Sequence, residues 1–98
     1  LDIGPSSVVW DVGAGSGSVA VEAAQIASDG SVYAIEMDPD DHGLIEENAR
    51  RFGVGNLKAI LGRAPDAWAE LPAPDSIYVG GSGRAVASLV EQAWEQLK

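Results

Sequence analysis

Apolar residues fall into two alternating patterns along the chain, short continuous runs and stretches at helical spacing. That alternation predicts strand and helix units repeated around a parallel sheet. The run Val8-Val9-Trp10 predicts a first strand over residues 7–12, and a helix follows over 17–28. Val19, Ala20, Val21, Ala23, Ala24, Ile26 and Ala27 make that helix mostly apolar, so it is expected to be well covered. Asp29-Gly30 ends it by turn chemistry, and Ser31 to Glu36, carrying Val32, Ala34 and Ile35, predicts a second buried strand. Asp38-Pro39 opens the next helix, since Asp can cap the free amides and Pro is pre-set for the first helical position. It runs to about Phe52 and is stopped by Gly53, with Ile45, Ala49 and Phe52 on one face. Glu46 with Arg50, and Glu47 with Arg51, stand four apart on the outer, solvated face. Asn56 to Leu61 reads as a third strand, Ala64 to Glu70 as a short helical turn, and Asp75 to Val79 as a fourth strand after a loop marked by Pro72 and Pro74. From Arg84 onward, Val86, Leu89, Val90, Ala93, Trp94 and Leu97 repeat at helical spacing. The pattern is that of an α/β, doubly wound domain. Four strands are half to two-thirds of such a domain, and the last helix reaches Lys98 with no Gly or Pro stop signal, so an incomplete domain is expected.

Composition narrows the class. At 98 residues the chain is one domain with a modest core. It contains no cysteine, which excludes disulfides and thiolate metal sites and is compatible with a reducing cytoplasm. No apolar stretch approaches the roughly 18 to 20 residues of a membrane span, and no signal-peptide pattern opens the chain. The net charge of −9 argues against binding a phosphate backbone. Charge is also unevenly placed: residues 1–49 hold ten acids and no Lys or Arg, whereas residues 50–98 hold five acids and all six Lys and Arg. The anionic half suits a ligand bearing positive charge, or else an acidic surface kept for solubility.

The candidate chemistry begins where the first strand ends. Asp11-Val12-Gly13-Ala14-Gly15-Ser16-Gly17 reads as a strand breaking into a glycine turn that opens a helix. Glycines on alternate positions let backbone pass close to a ligand, and amides at the helix start point towards it. The dinucleotide fingerprint requires G-x-G-x-x-G, but Ser18 stands where its last glycine belongs. Asp11, two positions before the first glycine, suits a cationic amine better than a pyrophosphate. In an open parallel sheet the ligand lies at the carboxyl ends of the strands, near the point where strand order reverses. Glu36 ends the second strand there, where a carboxylate can accept from both hydroxyls of a ribose. Gly62-Arg63-Ala64 follows the third strand, and Gly80-Gly81-Ser82-Gly83 follows the fourth, either as a flexible turn or as a place of close ligand approach. His42, the single histidine, is expected at the surface among acids. No catalytic triad or metal-ligand set is visible.

The run D-V-G-A-G-S-G-S at Asp11 to Ser18 resembles the first motif of class I S-adenosylmethionine-dependent methyltransferases. Nearly the whole chain resembles one family among them, the decarboxylating precorrin-6B C15-methyltransferases of cobalamin biosynthesis. The resemblance rests on V-V-W-D-V-G-A-G-S-G-S-V-A-V-E at Val8 to Glu22, V-Y-A-I-E-M-D-P at Val32 to Pro39 and E-N-A-R-R-F-G-V at Glu47 to Val54. It continues through G-R-A-P at Gly62 to Pro65, and L-P-A-P-D followed by V-G-G-S-G between Leu71 and Gly83. The first motif is shared across the superfamily, while G-R-A-P with V-G-G-S-G is closer to this family.

The resemblance implies a Rossmann-like class I methyltransferase fold, here with four of its usual seven strands. It implies S-adenosyl-L-methionine as cofactor, its methionine end wrapped by Gly13, Ala14, Gly15, Ser16 and Gly17, with Asp11 beneath. Glu36 would hold the ribose, and Gly62, Arg63 and Ala64 would lie along the adenine, with Met37 either on the adenine face or in the core. Arg63 departs from the acidic residue many class I enzymes carry there, leaving the Ala64 backbone to meet the adenine amino group. The reaction implied is methylation of a precorrin, a tetrapyrrole, at C15 with loss of carbon dioxide from the C12 acetate. Such a polycarboxylate needs local positive charge, for which Arg84 beside Gly81 and Ser82 is the candidate, structural pairing with an acid being the alternative. In some members the methyltransferase is the carboxyl-terminal domain of an enzyme that also methylates C5, and related enzymes form tetramers, so a homo-oligomer is expected. A class I methyltransferase with another small-molecule substrate and a noncatalytic cofactor-binding fragment stay open as readings. A nicotinamide dehydrogenase is disfavoured by Asp11 and Ser18.

Overall fold

The structure is a computed structural model that describes residues 3–63 and 66–80. β1 (Val8–Val12), α1 (Ser18–Ile26), β2 (Ser31–Glu36), α2 (Pro39–Arg51), β3 (Leu57–Leu61) and β4 (Ser76–Val79) follow in turn, with one 3-10 turn at Asp66–Trp68 before β4. The strands form one parallel sheet in the order β3-β2-β1-β4. Strand order therefore reverses beside β1. Successive strands step outwards from β1 to β3, then the chain returns to place β4 on the other flank.

Alternation along β1 sends side chains to two separate cores. Val9 joins Val32, Ala34, Ala20, Ala23, Ala24 and Ile45 on the face covered by the helices. Trp10 and Val12 join Ile35 and Trp68 on the other face. There the Trp10 and Trp68 rings stack with centroids 5.1 Å apart, and Trp10 Nε1 donates to the Pro72 carbonyl. The segment predicted as a helical turn over Ala64 to Glu70 thus serves as a lid on the second core, tightened to a single 3-10 turn in its described part.

α2 is set by its termini. The Asp38 carboxylate accepts from the Asp40 and Asp41 amides, Pro39 takes the first helical position, and Arg50 and Arg51 fall in the last turn. Gly53, at φ 66°, then turns the chain out of the helix. α1 has no comparable side-chain cap. It begins after Gly17, which is itself left-handed, so its first-turn amides are not met by a capping side chain.

Several sequence expectations change in the fold. α1 is shorter than 17–28, and it is covered on one side only: Val19 and Ile26 are exposed, because the helix packs on the sheet through Ala20, Val21, Ala23 and Ala24. Phe52 does not share the buried face of Ile45. It lies past the last helical residue, 55% exposed, under the Arg51 guanidinium. The Glu46–Arg50 and Glu47–Arg51 pairs do not close. Among the described residues the ion-pair contact is His42 Nδ1 to Glu46 Oε1, at 3.7 Å. His42 is half-buried rather than at the surface, with Nε2 3.3 Å from the Ala59 carbonyl of β3. No helix among the described residues is long and apolar enough to cross a membrane.

Candidate active site

The site is built where β1 meets the reversal of strand order. Val12 is the last paired residue of β1, and Gly13, Gly15 and Gly17 then adopt φ of 72°, 59° and 86°. All three are left-handed conformations that a side chain would strain, which is the physical reason glycine recurs on alternate positions here. The loop is also tightly bonded. The Gly13 and Ala14 amides both donate to the Ile35 carbonyl of β2, and Gly17 donates back to the Ala14 carbonyl. The loop amides are therefore not all directed at a ligand, as the glycine spacing alone suggests. Among the loop amides, the one at Ser16, an exposed residue, has no acceptor among the described residues, and it adjoins the uncapped start of α1.

Glu36 ends β2 and faces this loop. Its Oε1 accepts from the Gly15 amide at 2.8 Å and its Oε2 from the Asp38 amide at 3.0 Å, with the residue only 8% exposed. Two backbone donors fix the carboxylate and balance its burial. Each oxygen keeps further acceptor capacity for a ligand hydroxyl.

Asp11 is the site's electrostatic anomaly. It is 4% exposed, between Ala34 and Tyr78 in register, and its Oδ2 is buried with no hydrogen-bond partner among the described residues. Burial, and secondarily the negative charge of Glu36, push its pKa up from 3.8 to about 6. Proteins ordinarily satisfy such an atom, and a carboxylate oxygen in this position has the capacity to accept from a cationic donor.

Glycine contact also closes the floor between β1 and β4. The Gly80 amide donates to the Val12 carbonyl, and a Cβ on Gly80 would come within 2.7 Å of the Gly13 carbonyl oxygen. The start of the post-β4 segment is thereby held against the glycine loop. On the β3 side, Leu61 stands in register with Glu36, and the Gly62 amide donates to the Glu36 carbonyl. Met37, 62% exposed, and Leu61 present apolar surface beside Glu36, which removes a core position for Met37. Arg63 is exposed. Ala64, Gly81, Ser82 and Arg84 lie outside the described residues.

Sequence reading alone missed three contributors. Asn48 of α2 donates from Nδ2 to the Ser16 carbonyl, Ile45 packs against the Cα of Gly17, and the Asp38 amide helps hold Glu36. Ile45 carried a signal in the apolar stripe of α2. Asn48 stands in the E-N-A-R-R-F-G-V run that carries the resemblance, but no local pattern gives its contact, which spans 32 residues.

The precorrin methyltransferase domain family matches residues 1–98 of this chain. A probable cobalt-precorrin-6B C(15)-methyltransferase (decarboxylating) of Pyrobaculum calidifontis is 42% identical over 93 residues, covering 93% of this chain and 48% of that protein. The crystal structure of precorrin-6y C5,15-methyltransferase from Geobacter metallireducens superposes with a TM-score of 0.92 at 34% identity, over 100% of this chain and 52% of that one. Fibrillarin of Aeropyrum pernix, solved with natively bound S-adenosyl-L-methionine, shares the fold with a TM-score of 0.85 at 22% identity, over 98% of this chain and 43% of that one. The chain spans about half the length of the curated relatives it matches. The sheet order, the glycine loop and the Glu36 position thus sit in a class I methyltransferase fold, and the chain belongs to the precorrin methyltransferase domain family.

Proposed function

We propose that this chain is the cofactor-binding core of an S-adenosylmethionine-dependent methyltransferase that methylates a precorrin at C15 and decarboxylates its C12 acetate, in cobalamin biosynthesis. The observation that carries the cofactor assignment is the buried Oδ2 of Asp11, which has no partner among the described residues, beneath three left-handed glycines. The residues fit the group. Asp11 offers an anionic acceptor to its ammonium, and the Ser16 amide and the uncapped start of α1 offer donors to its carboxylate. Glu36, fixed by the Gly15 and Asp38 amides, offers acceptors to the ribose hydroxyls. Met37 and Leu61 offer apolar surface to the adenine, with Arg63 and Ala64 following along it.

When bound, S-adenosylmethionine supplies an electrophilic methyl group on a sulfonium. The chain's own work is then to orient and to exclude water, since such a transfer depends on alignment more than on acid or base catalysis. The Gly13–Gly80 contact serves that alignment by holding Gly80, the residue after β4, against the cofactor loop. Gly81, Ser82 and Arg84, which follow it, are proposed to meet the tetrapyrrole, with Arg84 answering its carboxylates. A cytoplasmic homo-oligomer is the proposed setting.

Calorimetry on the intact protein with S-adenosylhomocysteine tests the cofactor, and methyl transfer to a precorrin, followed by mass with release of carbon dioxide, tests the reaction. Binding of NAD in place of S-adenosylhomocysteine overturns the reading. Cofactor binding with methylation of another small molecule corrects the substrate alone.

A further inference from the structure

We infer that Asn48 is a positioning residue, reaching from the middle of α2 to set the glycine loop in its ligand-ready shape. The inference rests on the reading of that loop as the cofactor site. It concerns a residue that touches the loop backbone and not the ligand.

The loop is constrained from three directions. From β2, the Ile35 carbonyl takes the Gly13 and Ala14 amides, and Glu36 takes the Gly15 amide. From within, the Gly17 amide returns to the Ala14 carbonyl. From α2, Asn48 Nδ2 donates to the Ser16 carbonyl at 2.9 Å. Three residues earlier on the same helix, and so on the same face, Ile45 is fully buried, and a Cβ on Gly17 would come within 3.0 Å of its side chain.

Ser16 is the one loop residue whose amide has no acceptor among the described residues, and it is flanked by left-handed glycines on both sides. Glycine on each side gives the Ser16 segment unusual rotational freedom. The peptide that joins Ser16 to Gly17 is held at both ends, by its amide on the Ala14 carbonyl and by Asn48 on its own carbonyl, and Asn48 is the side chain in that pair. Fixing this peptide limits the swing of the segment that presents the Ser16 amide and the first turn of α1. Pre-organisation of this kind raises affinity by removing ordering cost from the binding step. Neither the helix nor the core requires an asparagine at that position: Asn48 is partly exposed, and alanine is the better helix former.

The test uses the intact protein with S-adenosylhomocysteine, together with Asn48→Ala and Asn48→Asp. Alanine removes the donor. Aspartate keeps the shape but sets a carboxylate against the Ser16 carbonyl, so it is expected to be the worse of the two. The expected result is a dissociation constant raised about 5- to 10-fold by alanine and further by aspartate, the scale of one hydrogen bond. The KM for cofactor should rise in step, with kcat at saturation and melting temperature nearly unchanged. A structural role in α2 alone would move the melting temperature and not the affinity. Wild-type binding with both variants within about twofold of it overturns the inference and leaves the functional reading intact. Failure of the wild type to bind sinks the functional reading itself.

Discussion

Replacing Asp11 with asparagine should make the protein more stable and a poorer binder of its cofactor. The carboxyl of Asp11 is raised from 3.8 to about 6, first by burial and then by the charge of Glu36. A native state that holds a proton more tightly than the unfolded chain loses stability as pH rises between those two values. Well below 3.8 the carboxyl is protonated in both states and costs nothing, and well above 6 it is ionised in both and the full cost is present. A difference of about two units corresponds to about 3 kcal/mol, an upper bound because the native site can relax. Asparagine has nearly the same shape and no charge, so Asp11→Asn should gain about 1 to 3 kcal/mol at pH ~8 and almost nothing at pH ~3. Urea unfolding of the intact wild type and variant across that range measures the gap directly. The same variant loses the anion offered to the ligand ammonium, and its affinity for S-adenosylhomocysteine should fall by about 1.5 to 3 kcal/mol, the scale of a hydrogen bond to a charged group. Opposite signs for stability and binding are the signature of a destabilised functional group. A stability gap that is absent, or that does not change with pH, refutes the assignment of a buried, ligand-directed carboxylate.

Three further substitutions test the site and the core on the other face of the sheet. Glu36→Ala removes the acceptor from the Gly15 and Asp38 amides and should weaken cofactor binding by about 1 to 3 kcal/mol by calorimetry; unchanged affinity would take Glu36 out of the site. Gly80→Ala places a methyl group 2.7 Å from the Gly13 carbonyl oxygen, with backbone on both sides of the contact, and should cost about 1 to 3 kcal/mol of stability, seen as a lower melting temperature. Trp68→Ala removes the ring stacked on Trp10 and should cost about 3 to 5 kcal/mol in urea unfolding, with a matching loss of near-ultraviolet circular dichroism.

The parts of this fold that were legible in the sequence are those determined over a few residues. The strands, the Asp38-Pro39 helix start and the Gly53 stop follow from local pattern and capping chemistry, and they lie within a residue or two of their predicted bounds. The glycine loop was legible for the same reason, since alternate glycines before a helix have few other uses. The contacts that decide how a side chain behaves were not legible, because they join residues that the sheet order brings together from far along the chain. His42 belongs among its acidic neighbours by sequence, yet β3 is an edge strand and its Ala59 carbonyl draws the imidazole inward. Amphipathic spacing likewise ends with the helix, so Phe52 continues the stripe of Ile45 on paper and leaves it one residue past Arg51. Asp11 shows the limit most sharply. Its position before the glycines suggested a cationic ligand, but an acid on a strand is ordinarily paired or solvated, and only the flanking β2 and β4 remove both options. What turns a suggestive acid into a buried and unsolvated one is therefore the order β2-β1-β4. By burying β1 at the reversal of the sheet, that order leaves Asp11 a carboxylate oxygen which no described protein group satisfies.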